Sequence, residues 1–506
     1  MKKRWFMMLP MMLLTLGLSS CGSGTAEAPA ENAQENSGEK AGEEPAGEPV
    51  NLVWWVYSGG DVPNDAAKVL EKANEISAEK IGVTVDMQFK TEEQFSLDLN
   101  TGEYYDMTFT CDWCNDFDDN ARQGYYYDLT DMVQETAPAL YEAVVPWWGI
   151  STLNGRIYGV PMLKDLGAEV FFRLNSDYFE GEKGLELPEE MKFADLEPLL
   201  QMYQEDHPGE YALHMGHNGL SGMFQVHERI VSSYLVIPYS KAGTEEGTKI
   251  IPIWEDEEYM DMLRCLHRWY EAGLINPDAA TTTDLPYSLH NPVRSGTAWT
   301  GYKGWSNPET TGFNVKLVRY IGPNMSRGTQ QGSLIAVNAA APEENVKAAL
   351  RYMELLYTDR AFRDLLAYGI EGEHFDYYED TVIRTQKGSD DYLLDNFVTG
   401  PAVSASVVSA GKEVLADPDQ WKHVYEEYEH AKQSDTRGFS YDGEKTEAIQ
   451  AALNAIWDGY YHELVTGTAD PDETMKTIAD LMYTAGLQEV LDDAQNQFDQ
   501  YLENLK

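Results

Sequence analysis

Cysteine is scarce in this chain: four cysteines occur among 506 residues, at positions 21, 111, 114 and 265. A structural zinc site would need a second ligand pair beside Cys111 and Cys114, and Cys265 stands alone, so we expect no zinc site. The Cys111-x-x-Cys114 spacing also occurs in redox proteins, but no thioredoxin-type strand–helix–strand context follows it. A redox pair, a local disulfide and two unpaired small apolar side chains all stay open at this point.

Basic residues are also few, with 37 Lys and Arg against 85 Asp and Glu, which gives a formal net charge of −48. Nucleic acids and anionic membrane surfaces are bound through basic patches, so this balance excludes nucleic acid as a partner. The acidic balance of the whole chain also disfavours anionic ligands, although the charge at one local site can differ from that balance. Most of these charges fit a solvated acidic surface.

Long apolar runs are missing apart from residues 5–18, which are too short for a membrane span of about 20 residues. This run follows the basic start 1–4 and precedes small residues, as in a secretory signal. Its end, Leu18-Ser19-Ser20-Cys21, resembles the bacterial lipobox, in which the cysteine receives a diacylglycerol and the leader is removed. We therefore predict a lipoprotein signal peptide over 1–21, lipidated at Cys21; the alternative is an ordinary signal with a chance cysteine.

The next segment lacks the residues that build a core. Residues 22–49 are mostly Gly, Ala, Pro, Ser, Asn and Glu, and none is aromatic or apolar and β-branched. Such a composition cannot bury enough surface to offset its ordering entropy. We predict a disordered tether over 22–50, which as a flexible coil would span about 30 Å.

Common enzyme and metal signatures are missing as well. The sequence has no G-x-S-x-G elbow and no P-loop, so we expect neither enzymatic activity nor a cofactor. Asp116–Asn120 begins like a calcium loop, but Ala121 and Tyr127 stand where Gly and Glu are needed. His214-x-x-His217 lacks an acidic third ligand at helical spacing. We therefore expect no metal site.

The folded body begins with an alternation of strand and helix patterns. A buried strand from Val50 runs into a glycine turn, a helix is predicted over 63–80, and further strands are predicted over Val83–Phe89 and Tyr105–Thr110. This alternation predicts a parallel α/β sheet. Ligands on such sheets lie at the carboxyl ends of the strands.

Several motifs in order along the chain resemble the solute-binding lipoproteins of bacterial ABC importers, the group that includes maltose-binding protein. They are Gly155-x-x-Tyr158-Gly159-x-Pro161, Ser295–Trp299 with Gly301–Trp305, and Ala341–Asn345 with Tyr352-Met353. Three others resemble a branch of large carbohydrate-type lipoproteins: Trp269–Asp278, Tyr368–His374, and Ala485–Leu487 with Gln497. The resemblance covers most of residues 51–506.

The resemblance implies a two-lobed α/β body of the type II periplasmic-binding-protein-like class, with a ligand cleft between the lobes. One lobe would comprise 51–170 plus 331–367, and the other 171–330 plus 368–506. The chain would cross the hinge near 170, 330 and 367.

A sugar site combines aromatic platforms for the C–H faces with polar groups for the hydroxyls. Two aromatic clusters fall at predicted strand ends, one around Trp54 and Tyr57 and the other at Trp113. The resemblance adds one tryptophan and two residues near the third crossing. The candidate ligand-binding residues are Trp54, Tyr57, Asp112, Trp113, Asn115, Trp305, Glu371 and His374.

The resemblance implies a monomeric, lipid-anchored receptor on the outer face of the cell membrane. It would capture a carbohydrate, preferably an oligosaccharide, and deliver it to an ABC transporter permease. The alternatives are a receptor for a peptide or an acidic sugar on the same fold, or a surface carbohydrate-active enzyme.

Overall fold

The computed structural model describes residues 48–58, 62–163, 166–220, 222–283, 292–297, 312–378, 381–392, 394, 407–408, 420–434, 436 and 438–504. The predicted leader and nearly all of the predicted tether lie outside these residues, as do Cys21 and Trp305. No helix in the described part of the chain is both long and apolar enough to cross a membrane.

The strands follow the chain in this order: β1 Val50–Tyr57, β2 Val83–Lys90, β3 Met107–Thr110, β4 Thr152–Leu153, β5 Arg156–Ile157, β6 Gly159–Pro161, β7 Ala168–Asn175, β8 His227–Val231, β9 Leu235–Pro238, β10 Ile251–Pro252, β11 Val293–Thr297, β12 Val315–Met325, β13 Leu334–Val337, β14 Phe375–Tyr378, β15 Thr381–Arg384, β16 Val407–Val408 and β17 Lys432–Gln433.

The α-helices are α1 Ala66–Ile81, α2 Glu92–Thr101, α3 Phe117–Arg122, α4 Val133–Thr136, α5 Pro138–Val144, α6 Glu197–Asp206, α7 Glu257–Glu271, α8 Arg327–Gln330, α9 Glu343–Thr358, α10 Arg360–Tyr368, α11 Gln386–Asp391, α12 Gln420–Tyr428, α13 Glu447–Val465, α14 Pro471–Ala485 and α15 Leu487–Asn504.

The first sheet confirms the predicted parallel arrangement. Its order is β2-β1-β3-β13-β6, and β1 pairs in parallel with both β2 and β3. The late strand β13 adds to it in the antiparallel direction. Helix α1 ends because Gly82 takes a left-handed conformation, with φ 65°, that glycine adopts without penalty. The chain then turns directly into β2.

The described residues form two large hydrophobic cores. The first contains Leu52 of β1, Val346 of α9 and Tyr428 of α12, among others. The second contains Phe172 of β7, Leu263 of α7, and apolar residues of α13, α14 and α15. Two cores in one chain are what a two-lobed α/β fold requires.

Along the described residues, the chain passes between the cores three times. Leu166 lies in the first core and Val170 in the second, so the first crossing lies between them. The return begins after Ile321 of the second core, and Met325 already lies in the first core.

The third crossing differs from the one predicted near 367. Tyr368 and Phe375 lie together in the first core, and so does Tyr428, whereas Phe439 lies in the second. Along the described residues, the chain therefore crosses between 428 and 439. The segment 373–387 packs back onto α10 through Tyr377 and onto α1 through Lys68, and α12 contacts β12. This packing favours assigning 368–428 to the first lobe; the remaining lobe limits stay a prediction.

The three crossings meet at Gly167. A Cβ atom added there would lie 2.8 Å from Cε1 of Tyr428 and 3.1 Å from the carbonyl oxygen of Asn324. Gly167 belongs to the first crossing, Asn324 to the second, and Tyr428 to the start of the third. Only glycine leaves room for this approach. Beside it, the second sheet runs in the order β11-β7-β12-β17.

A charged cluster holds the same region together. Nη1 of Arg319 on β12 lies 2.8 Å from Glu169 Oε1 on β7 and 3.1 Å from Glu427 Oε2 on α12, and Nη2 contacts Glu190. Glu169 is fully buried. A buried carboxylate must be paired, so Arg319 is the ionic tie between the crossing strands and α12.

We expect Arg319→Ala to lower the free energy of unfolding by about 3 kcal/mol, because it removes a cationic partner from the buried Glu169. Arg264→Ala is the matched control. Arg264 also binds three carboxylates, Glu257, Asp261 and Asp472, but all three are exposed, so its loss should cost less than about 1 kcal/mol. Urea unfolding of both variants measures the difference, and equal losses would contradict this role of Arg319.

Candidate functional site

The loop that follows β3, residues Cys111–Asp116, is named here the strand-end loop. Asn115 shapes it from inside: it is buried, with φ 54°, a left-handed conformation that asparagine tolerates better than most residues. Its Nδ2 donates to the carbonyl oxygen of Phe109 at 2.7 Å, and its Oδ1 accepts from Asn120 at 3.0 Å. Asn115 is therefore a structural residue of the loop, and the structure does not support its predicted contact with a ligand.

The two cysteines of the loop are free thiols, and both are buried. The N–H of Cys114 donates to Sγ of Cys111 at 3.0 Å. Burial, with a smaller contribution from Cys114, raises the pKa of the Cys111 thiol. A thiol that stays protonated and shielded is a poor nucleophile, so the structure favours the packing role among the three alternatives.

Trp113 presents its ring to solvent at the tip of the loop. Its exposed fraction is 46%, and it is the one exposed tryptophan in the part of the chain whose burial the structure describes. The ring is held edge-on by Tyr57, with centroids 5.1 Å apart, and Nε1 donates to the carbonyl oxygen of Gly332 at 3.1 Å. Trp113 and Tyr57 thus lie together at the ends of β1 and β3; their role as an aromatic platform for a ligand stays a prediction.

Asp112 lies beside Trp113 and is accessible to solvent, yet protein surrounds it closely. Desolvation is the main cause that raises its pKa to about 6; Arg229 opposes this shift, and Asp116 and Asp118 add to it. An accessible carboxyl with poor hydration is typical of the wall of a cleft. Its backbone N–H donates to the carbonyl oxygen of Gln331 at 3.2 Å, which fixes the loop to the second crossing.

A second carboxyl group, that of Glu228, lies close to Asp112. Glu228 is on β8, a strand of the second core. A Cβ atom added to Gly328 would lie 3.6 Å from Asp112 Oδ2 and 3.8 Å from Glu228 Oε1, so both carboxyls flank one point of the second crossing. Glu228 is 6% exposed. Burial raises its pKa to about 7, although hydrogen bonds from Ser326 and Tyr239 act to lower it.

Arg327 on α8 builds the frame around these groups. Its guanidinium binds Asp118 twice, through Nε at 3.0 Å and Nη2 at 2.6 Å, and Nη1 donates to the carbonyl oxygens of Gly149 and Thr152. Burial acts to raise the pKa of Asp118, but the ion pair with Arg327 outweighs it and the pKa is lowered. Asp118 therefore stays ionised and serves as a fixed part of the scaffold.

Trp54 is not part of this site, which corrects the prediction. It is fully buried and packs edge-on against Tyr352 of α9, with ring centroids 6.0 Å apart. Alternation along β1 does place Trp54 opposite Trp55 and Tyr57, as expected. The face that carries Trp54 is covered by helices, because β1 is an interior strand.

His374 also serves the fold rather than a ligand. It is fully buried; its Nδ1 accepts the N–H of Ile370 at 2.9 Å, so Nε2 carries the proton and donates to Asp65 at 2.9 Å. Its neighbour Glu371 is exposed and forms an isolated bridge with Phe375. The contacts of His374 lie within the segment 370–392 and with Asp65, just before α1. Among the described residues, none of the contacts of His374 or Glu371 joins the strand-end loop.

Asp65, Glu373 and His374 are close enough together to suggest metal ligands. The His374 proton on Nε2 points at Asp65, however, and Lys387 contacts both Asp65 and Glu373, while Lys68 lies 2.5 Å from Glu373. The two ammonium groups already neutralise these carboxylates. The arrangement is a salt-bridge network that fastens α1 to the segment 373–387.

Sequence reasoning missed Arg229, Glu228, Gly328 and Arg327. No local pattern marks them, because each of these residues acts together with a residue of the strand-end loop or of α3 that lies more than 100 positions away in the sequence. Trp305, which was predicted from the resemblance, lies outside the described residues.

The architecture built around this site is the two-lobed type II fold of periplasmic solute-binding proteins. The N-glycan transport solute-binding protein NgtS of Streptococcus pneumoniae superposes with a TM-score of 0.79 at 23% identity, covering 90% of this chain and 100% of that chain. Its complexes with Man5GlcNAc and Man1GlcNAc superpose with TM-scores of 0.69 and 0.71. The predicted fold class is confirmed.

Comparison of sequences points the same way. A "Carbohydrate ABC transporter substrate-binding protein" of Streptococcus pneumoniae is 25% identical over 519 residues, covering 100% of this chain and 99% of the relative. "Lipoprotein LipO" of Bacillus subtilis is 21% identical over 365 residues, covering 66% of this chain and 69% of the relative. A family model described as "Domain of unknown function (DUF3502)" matches residues 435–503. The predicted resemblance to carbohydrate-type solute-binding proteins is confirmed.

The raised pKa of Glu228 predicts that this residue lowers the free energy of unfolding by an amount that depends on pH. At pH 8 the ionised, buried carboxylate destabilises the fold; as the pH falls through about 7 toward the ordinary value near 4.5, the folded protein takes up a proton and the cost disappears. Glu228→Gln should therefore raise the free energy of unfolding at pH 8, on the order of 2 kcal/mol, and much less at pH 5. Urea unfolding at both pH values tests this, with the exposed Glu463→Gln as control, and a gain that is the same at both pH values would argue against it.

Proposed function

We propose that this chain is an outward-facing solute-binding lipoprotein that captures a neutral oligosaccharide and delivers it to an ABC transporter permease. The observation that carries the proposal is the exposed ring of Trp113, held rigidly beside Asp112 at the carboxyl ends of β1 and β3. The full-length similarity to a carbohydrate substrate-binding protein supports the same conclusion.

The geometry suits the two kinds of surface that a sugar offers. Tyr57 and the hydrogen bond to Gly332 hold the indole of Trp113 still, so a pyranose ring can stack on it with little loss of side-chain entropy. Asp112 supplies acceptors for hydroxyl groups beside the platform. Arg229 faces Asp112 from the second core and supplies donors, so a ligand placed here would touch both lobes and favour closure.

The local charge supports a neutral ligand over an acidic sugar. Asp112 raises the pKa of Glu228, and Asp116 and Asp118 raise the pKa of Asp112, so several carboxyl groups lie near one another here. Arg229 is the cation that moderates Asp112. A uronic or sialic acid placed beside Trp113 would be repelled by this excess of carboxylates.

The pair Asp112 and Glu228 is the observation that favours a glycosidase, since such enzymes use two carboxyl groups with one raised pKa. We propose binding without bond cleavage. Glu228 is buried in β8 and accepts a hydrogen bond from Tyr239 at 3.1 Å, so it is not free to reach a glycosidic oxygen.

One experiment separates these functions. Purified mature protein is mixed with Man5GlcNAc, Man1GlcNAc, kestose, an alginate oligosaccharide or a tetrapeptide, and its melting temperature is recorded, since a ligand of the native state raises it. We expect a rise with at least one neutral oligosaccharide, and mass spectrometry should recover that glycan intact. A rise only with alginate or peptide, no rise at all, or cleavage of the glycan would contradict the proposal.

Removing the aromatic platform should weaken glycan binding. We expect Trp113→Ala to raise the Kd at least about tenfold, because stacking on an aromatic ring and the burial that goes with it are worth about 1.5 kcal/mol or more. Isothermal titration with the best neutral glycan measures this. Tyr483→Ala is the control, since Tyr483 is an equally exposed aromatic residue on α14 of the second core; a loss of affinity of the same size there would count against the site.

The lipid anchor is tested separately. Cys21→Ala should leave glycan affinity unchanged and move the protein from the membrane fraction to the medium or periplasm, because a diacylated cysteine would be its attachment. Cell fractionation followed by immunoblotting gives the answer. A variant that stayed with the membrane would show that another attachment exists.

A further inference from the structure

The segment 438–441 lies inside the region matched by the domain of unknown function, and helix α15 of the second core holds it firmly. The Phe439 ring packs against Phe498 and Tyr501, at centroid distances of 4.9 Å and 5.7 Å. The hydroxyl of Tyr441 donates to Asp493 at 3.0 Å. Phe439 and Tyr441 therefore anchor the segment to the second lobe on both sides of Ser440.

Ser440 makes its contacts with the opposite lobe. Its Oγ accepts a hydrogen bond from Nη2 of Arg122, and Ser440 also contributes to lowering the pKa of the Asp118 carboxyl. Arg122 and Asp118 both lie on α3, the helix that continues directly from the strand-end loop. The hydroxyl of Ser440 thus holds a guanidinium of the first lobe from a rigid support in the second.

The helix α3 transmits this contact to the candidate site. The N–H of Phe117 donates to the carbonyl oxygen of Cys111 at 3.1 Å, and Asn120 donates to the carbonyl oxygen of Asn115 at 3.1 Å. A shift of α3 would therefore move both ends of the loop that carries Asp112 and Trp113. Arg327 and Gln331 hold Asp118 of α3 from the crossing side, and Ser440 holds Arg122 of the same helix from the second lobe.

We propose that Ser440 is a positioning residue: it holds α3 and the strand-end loop from the opposite lobe, so that Trp113 and Asp112 are arranged to receive the glycan. This proposal rests on the proposed function for its effect on binding. With this role for Ser440, the C-terminal segment 435–503 contributes to the candidate site as well as to the packing of the second core.

The test compares Ser440→Ala, Ser440→Thr and Ser176→Ala with the parent protein. Ser176 is the matched control, a half-buried serine of the second lobe whose hydroxyl donates to the carbonyl oxygen of Asn314. We expect Ser440→Ala to speed hydrogen exchange in peptides covering 111–122, about threefold or more. Its Kd for Man5GlcNAc should rise about three- to tenfold, as for the loss of one hydrogen bond of typical strength. Ser440→Thr keeps the hydroxyl and should restore both values.

The possible outcomes are distinct. Faster exchange at 111–122 together with weaker binding, both reversed by threonine, supports the proposal. Unchanged exchange at 111–122, or a lower melting temperature without a change in Kd, overturns it, because Ser440 would then act on stability alone. If the parent protein binds no glycan, the proposed function fails, while the exchange of 111–122 still decides whether Ser440 holds the loop.

Discussion

The missing side chain at Gly167 is the constraint on which the two-lobed arrangement depends. Three passes of the chain meet there, and the carbonyl oxygen of Asn324 and the ring of Tyr428 occupy the space that any Cβ atom would need. Because the crossings are this close, β12 can pair with β7 on one side and with β17 on the other. The hinge strands thus belong to one sheet, in which β12 shifts its register against β7 between Arg319 and Asn324. Charged ties, led by Arg319, sit directly beside it.

A network of buried charged residues connects this hinge to the candidate site. Arg327 stands on the second crossing, and its burial demands acceptors, which are Asp118 and two carbonyl oxygens of the first lobe. Asp118 in turn fixes α3, and α3 fixes the loop that ends in Trp113. The carboxyls of Asp112 and Glu228 remain at the open end of this network, where poor hydration raises the pKa of each. Asp118 of the scaffold therefore has a lowered pKa, while its neighbours Asp112 and Glu228 have raised ones.

The sequence was sufficient for the parts that local patterns determine. β1, β2 and β3 form where alternation and apolar runs predicted them, and Tyr57, Asp112 and Trp113 lie at the same edge, as the strand-end rule predicted; their contact with a ligand stays a prediction. These features depend on neighbours within about 15 residues, so one sequence contains their cause.

Features that depend on distant packing were not predictable. Trp54 and Trp113 are both tryptophans near a strand end. Trp54 is a core residue because α9 packs over it. The third crossing was placed near 367 because a motif there resembled the family pattern, whereas the contacts of Phe375 and Tyr428 keep the chain in the first core for another 60 residues or so. Glu228 and Ser440 reach the site from segments more than 100 residues away from the strand-end loop. A single sequence contains no signal for such proximity.

The membership of α12 in the first core also sets an order of events during synthesis. The first core begins at Leu52 and includes Val424 and Tyr428. Its first strands therefore gain their last packing partners only after more than 350 further residues have been synthesised. Contacts this distant in sequence form slowly. A nascent chain of this kind stays incompletely folded until most of it has been made, and an incompletely folded chain is the form that a narrow export channel can pass.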